Sequence, residues 1–318
     1  MSPPRDPPGL PGTGAALTLQ GVVKCYGRTR ALDGLDLTVP AGSIFGLVGA
    51  NGAGKTTLLA LCAGLLRSQG GRLDVLGAGP FHPARHAGRV TLLPQDSQLP
   101  LHARVGELLR FYGRLQGVPP ADLAPQVAAL LEWVHLADRA RAPVRSLSHG
   151  MRKRVMLAQC FLGAPELVLL DEPLSGLDPR EVARAREFIL ARRGRQTIVI
   201  SSHNLHELEL LCDRVAFIEK GRTVREDTLA ALTGRTAVLA YQLDGSVAPP
   251  LEDLGRLVPA GAFDWDPAAR RLTCRYRGEL GAAEINRRVL SALLTTGAGI
   301  LAVQQGERLE SEYLRQSQ

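Results

Sequence analysis

Residues 43–57 read Ser-Ile-Phe-Gly-Leu-Val-Gly-Ala-Asn-Gly-Ala-Gly-Lys-Thr-Thr. The first seven form an apolar run ending in glycine, as a buried strand does. From Gly49 to Thr56 the residues fit G-x-x-x-x-G-K-[ST], and the apolar stretch LLALCAGLL (58–66) follows as a helix. Glycines let the backbone curl so that its N–H groups face phosphate oxygens. The helix N-terminus adds partial positive charge. In that setting Lys55 is expected to reach the β- and γ-phosphates of a nucleotide, and the Thr56 hydroxyl to ligate Mg²⁺.

A second strand-like run, LVLLDE (167–172), ends in two acids. Buried parallel strands deliver ligands at their carboxyl ends. Asp171 is expected to hold Mg²⁺ through water, and Glu172 to orient or deprotonate an attacking water.

Around these two motifs the chain alternates strands and helices. Strands are read at 17–27, 35–42, 72–77, 89–95, 167–172 and 197–203. A helical insertion runs from about 103 to 164, with Gly-Val-Pro-Pro (117–120) and Ala-Pro-Val (142–144) as breaks. Such alternation predicts a mainly parallel sheet with helices packed on it. Near Thr233–Arg235 this domain is expected to end, and a small α+β domain to occupy 235–318. Its order reads β…βαβα, compatible with a split βαβ unit.

Five prolines fall in the first eleven residues, so residues 1–16 are read as a disordered tail. No signal peptide is read there. The run 289–306 carries no charge, but Thr, Gly, Ser and Gln make it too polar for a bilayer span; it reads as a helix end, a Gly turn and a strand. Five scattered cysteines form no CxxC pair, which argues for reduced thiols and against a metal knuckle. The net charge of +7 raises an acidic partner, but only four of 38 basic residues are Lys. Arg together with much Ala, Gly, Pro and Leu also fits compositional bias.

These motifs together resemble the ATP-binding cassette of ABC transporters, over residues 17–233. GANGAGKTT resembles the family's Walker A loop and LVLLDE its Walker B strand. Gln95, after VTLLP, lies where the Q-loop glutamine lies; LSHGM (147–151) resembles the LSGGQ signature; SGLD (175–178) resembles the D-loop. His203, after TIVISS, matches the switch histidine, and Tyr26 in KCYG matches the aromatic residue that stacks on adenine. The resemblance implies ATP and Mg²⁺. It implies ATP contacts at Tyr26, Gly49, Asn51, Gly52, Gly54, Lys55, Thr56 and Thr57, and a cation held by Thr56, Gln95 and Asp171. Catalysis would fall to Glu172, His203 and Gln95. It also implies a second cassette, a copy or a relative, whose nucleotide meets Ser148, Gly150 and Asp178 in trans.

The signature departs from the pattern at His149 and Met151. Ser148 remains a good N-cap for the following helix, and Gly150 still permits close backbone approach. His149 would be strained only if that position needs φ > 0. The run Arg152, Lys153, Arg154 is read either as a face for an anionic partner or as a solvated face. The Met form, the absence of a span and the C-terminal domain resemble motor subunits of bacterial exporters with separate membrane subunits. The implied location is the cytoplasmic face of the membrane, and no nucleic acid is expected. The alternatives are a soluble cassette ATPase acting on nucleic acid or ribosomes, and an importer motor.

Overall fold

A computed structural model of the chain describes residues 14–228, 237–258, 261–276 and 282–305. The chain divides into two compact units after Asp227. In the first, β1 (Ala15–Tyr26), β2 (Thr29–Pro40) and β4 (Gly70–Val75) form an antiparallel sheet in the order β2-β1-β4. A six-stranded sheet has the order β5-β6-β7-β3-β8-β9. Its members are β3 (Ile44–Val48), β5 (Val90–Leu93), β6 (Leu167–Asp171), β7 (Thr197–Ser202), β8 (Arg214–Glu219) and β9 (Arg222–Thr228).

The strands from β5 to β8 run parallel. β3, β6 and β7 are buried at every residue, which is why they read as unbroken apolar runs rather than alternating ones. Parallel pairing fixes where their carboxyl ends fall. Val48 aligns with Ser202, Asp171 with Ser201, and Leu93 with Leu170. The residues after β3, β5, β6 and β7 therefore emerge along one edge of the sheet.

Helix α1 (Lys55–Cys62) follows β3 and packs on that sheet through Leu58, Leu59 and Leu61. The short α2 (Pro83–His86) precedes β5. The predicted helical insertion contains α3 (Val105–Leu115), α4 (Pro120–Trp133) and α5 (His149–Gln159). α3 and α4 approach closely because Gly113 has no side chain. A Cβ there would lie 2.5 Å from Leu123 Cδ2. Beyond β6 come α6 (Pro179–Leu190) and α7 (Leu205–Glu209). Phe161, just past α5, meets Phe188 of α6 edge-on at 4.9 Å, and the Arg192 guanidinium lies 3.7 Å from the Phe188 ring centroid. Burial lowers the Arg192 pKa to about 10.

The second unit runs β10 (Ala237–Leu243), α8 (Leu251–Leu257), β11 (Gly261–Asp266), β12 (Arg271–Tyr276), α9 (Ala282–Thr295) and β13 (Ile300–Gln305). Its antiparallel sheet has the order β11-β12-β10-β13. This βαββαβ order is a full split-βαβ unit. The sequence reading lacked α8 and β11. GAFDWD (β11) carries two aspartates, poor strand formers, and pairs only as an edge strand; α8 is seven residues with an internal Gly. What reveals them is partnership: Phe263 and Trp265 pack on the core of Leu239, Tyr241, Leu272 and Val289. The 289–306 run supplies the end of α9, a turn at Gly297 (φ 79°) and β13. The expected final helix near 309–314 and the boundary at 233–235 lie outside the described residues. Among the described residues no helix is long and apolar enough to cross a membrane.

Cys62, Cys160, Cys212 and Cys274 are buried, while Cys25 is half-buried. Desolvation raises the thiols of Cys62 and Cys160 to about 12 and that of Cys274 to about 11, and pushes Cys212 up as well. A maleimide reagent at neutral pH is therefore expected to label Cys25 rapidly in the folded chain and all five thiols after denaturation. Fast native labelling of three or more, read by mass spectrometry, would contradict this packing.

Candidate functional site: a nucleotide loop facing a buried carboxylate pair

Gly49 leaves β3 pressed against β8. A Cβ at that position would stand 2.4 Å from the Ile218 carbonyl oxygen. Gly52 (φ 82°) and Gly54 (φ 111°) take left-handed conformations that glycine adopts without strain. Gly54 also lies against the β1–β2 hairpin, where a Cβ would fall 2.5 Å from the Ala31 carbonyl oxygen. Gly54 is the N-cap of α1 and offers no side chain to the first turn. The N–H groups of that turn are thus left for an outside acceptor. Asn51 and Thr56 are exposed and Thr57 is half-buried on this loop.

Lys55 folds back into the loop. Its Nζ donates to the Gly49 carbonyl at 2.6 Å and the Ala50 carbonyl at 3.2 Å, and lies 3.8 Å from Glu172 Oε1. Burial pulls the ammonium below the usual lysine range, while the Glu172 and Asp171 carboxylates oppose that shift.

Asp171 and Glu172 are both buried. The Ser201 hydroxyl donates to Asp171 Oδ1 at 2.5 Å and accepts from the Glu172 N–H at 3.0 Å. Asp171 Oδ2 is buried with no hydrogen-bond partner among the described residues. Glu172 holds φ 48°, a left-handed conformation uncommon for a non-glycine residue, at the point where the chain leaves β6. His203 Nδ1 stands 3.1 Å from the same Glu172 Oε1 that faces Lys55. The His203 side chain is 55% exposed and that of Glu172 6%, so the imidazole lies at the mouth and the carboxylate inside.

Gln95 is exposed, two residues past β5 on the same edge. Tyr26 closes β1 and is 48% exposed, with the Lys24 ammonium 5.5 Å from its ring centroid. Asp178 caps α6, its Oδ1 accepting from the N–H groups of Arg180 and Glu181 at 3.0 Å each. Ser148 caps α5 by accepting from Met151 N–H at 3.2 Å. That leaves its hydroxyl proton to donate outward. His149 is the first residue of α5 and is not among the residues with positive φ. The histidine therefore replaces a glycine without backbone strain.

The sequence reading of Arg152, Lys153 and Arg154 needs correction. Arg154 is buried in an ion pair with Glu181 and donates to the Val134 carbonyl; Lys153 donates to the Ser175 carbonyl. Two of the three thus point into the protein. The reading also missed Ser201. Its signal was a polar Ser-Ser pair following the apolar Ile-Val-Ile of a fully buried strand, immediately before His203.

A Gly-rich loop opening a helix, a buried acid pair at the end of β6, one strand removed from β3 in the sheet, and a histidine at the end of the intervening β7 define a P-loop nucleotide-hydrolysing cassette. Residues 32–175 match the ABC transporter family. Over 230 residues the chain is 38% identical to the Nod factor export ATP-binding protein I of Ralstonia nicotianae, covering 70% of each chain. Over 223 residues it is 37% identical to the daunorubicin resistance ATP-binding protein DrrA3 of Streptomyces coeruleorubidus, covering 70% of this chain and 71% of that one. A solved ATP-binding subunit of an ABC transporter superposes with a TM-score of 0.62 at 26% identity, covering 69% of this chain and 92% of its own. The chain belongs to the ATP-binding subunits of the ABC transporter family, and it is an ATPase.

Removing the Ser201 hydroxyl strips a buried carboxylate of its donor. Ser201→Ala is expected to lower the unfolding free energy by about 1–3 kcal/mol in a denaturant titration. An unchanged midpoint would show that the hydroxyl is not holding Asp171.

Proposed function

We propose that the chain is the motor subunit of an exporter, hydrolysing ATP between two cassettes and driving membrane subunits carried on separate polypeptides. The observation that carries the ATPase chemistry is the Glu172 carboxylate, buried between Lys55 and His203 at the mouth of the phosphate loop. The names of the export and drug-resistance relatives support the export direction.

In this reading the adenine stacks on Tyr26, worth about 1–3 kcal/mol by analogy with other base stacks. The loop N–H groups from Gly49 to Thr57, with Asn51, Gly52 and Gly54, take the phosphates. Lys55 gives up the Gly49 and Ala50 carbonyls for the β- and γ-phosphates, which also frees Glu172 to accept a proton from the attacking water. His203 donates toward charge developing on the γ-phosphate. The orphaned, buried Asp171 Oδ2 and the exposed Thr56 hydroxyl fit a divalent cation, with Gln95 completing the set. Mg²⁺ bound there would neutralise phosphate charge.

The signature helix supports a shared site. Ser148 and the N-terminus of α5 face solvent, with Gly150 beside them and Asp178 exposed, so a second cassette could present its γ-phosphate to them. The partner is a copy of this chain or a relative. The exposed apolar side chains Leu101, Phe111 and Leu115, on or just before α3, suit a docking face for membrane subunits. The chain would then work at the cytoplasmic face of the membrane, without nucleic acid.

Glu172→Gln is expected to bind ATP, turn it over at least about a hundredfold more slowly, and accumulate as an ATP-dependent dimer in analytical ultracentrifugation. A monomer at high protein and ATP concentration would defeat the shared-site reading. Because His149 already sits in the helical region, His149→Gly is expected to change turnover by less than about threefold, since Gly adds only a modest helix penalty. A natural chain that is inactive and rescued by glycine would mean that its signature is degenerate.

A further inference from the structure

We propose that Lys153 is a positioning residue for ATP hydrolysis, tying the helix that begins at Ser148 to the loop that leaves Glu172. The inference rests on the assignment of Glu172 as the base. Lys153 lies on α5, two residues past Met151 of the signature stretch, and its Nζ donates to the backbone carbonyl of Ser175. Ser175 is three residues beyond Glu172, in a tight stretch where Ser175 N–H bonds the Glu172 carbonyl at 3.3 Å and Gly176 turns at φ 73°. The next residue of α5, Arg154, pairs with Glu181 in the first turn of α6. Consecutive residues of one helix thus hold the middle and the far end of the segment joining Glu172 to α6.

Close packing reinforces the contact. A Cβ on Gly150 would come within 3.2 Å of Glu181 Cγ, and one on Gly176 within 3.7 Å of His149 Nε2. The helix N-terminus offered to the partner's nucleotide and the carboxylate serving this chain's own nucleotide are therefore one mechanical unit. Lys153 is the member of that unit that also carries charge toward the carboxylate. It is partly buried, which lowers its pKa, while Glu172 and Glu207 act to hold the proton on. Glu207 is itself anchored by the Ser202 hydroxyl at 3.0 Å.

The test is steady-state ATPase kinetics with equilibrium ATP binding on the full chain. Lys153→Met is expected to lose about tenfold in kcat, roughly one charge-assisted hydrogen bond, with ATP affinity within about twofold of the parent. Lys153→Arg keeps the charge and the donor, and is expected to recover to within about threefold of parental kcat. In a Glu172→Gln background, Lys153→Met is expected to cost less than about twofold more, because interacting residues are not additive. A Lys153→Met kcat close to parental, no recovery by Arg, or a full loss repeated in the Glu172→Gln background would each overturn the role of Lys153. If Lys153→Met fails to fold, Lys153→Arg against Lys153→Gln decides: near-parental turnover for Arg with a loss for Gln supports the role, and equal turnover overturns it. Parental turnover in Glu172→Gln alone would instead remove the base and this inference with it.

Discussion

Asp171 and Glu172 carry two carboxylates into a buried strand end, and the surrounding structure is arranged to tolerate them. Burying an ionised carboxylate is expensive unless cations and hydrogen bonds meet it. Here Ser201 donates to one and accepts from the backbone of the other, while Lys55 and His203 face the second. Those partners come from the carboxyl end of β7 and from the start of α1. They meet only because β6, β7 and β3 are adjacent and parallel, so that their carboxyl ends are level. The phosphate loop, the acids and the histidine depend on that strand order.

The constraint leaves its mark on the backbone too. Glu172 adopts a left-handed φ, and such strain persists where the surroundings over-determine it. The loop beyond it is gripped by α5 through Lys153 and Arg154. A helix whose first turn is offered to solvent is thus coupled to the segment that leaves Glu172. If nucleotide is hydrolysed between two cassettes as proposed, such a link is a route by which engagement on one side can alter chemistry on the other.

The second unit follows different rules. Its sheet is antiparallel, its core is built from Leu239, Tyr241, Leu272 and Val289, and its elements are short. Little local signal marks β11 or α8. They form because the β10–β12 pair and α9 provide an apolar surface that Phe263, Trp265 and Leu254 can cover. That surface exists only after distant segments meet.

In the first unit the chain order and residue types were enough for the phosphate loop, the acid pair, His203 and the helical insertion. Those motifs are contiguous, and their chemistry is local: glycine for left-handed turns, an apolar run for a buried strand, serine for a cap. Tertiary structure alone decided which basic residues face inward, that Ser201 ties the Asp171 carboxylate to the Glu172 backbone, and that His149 needs no glycine. Each of these depends on where a side chain from another element stands, or on the backbone angle that packing imposes. Sequence spacing records neither. Lys153 and Arg154 read as a charged surface run until α6 and the loop before it are placed beside α5, because burial and pairing are properties of the neighbours and not of the residue.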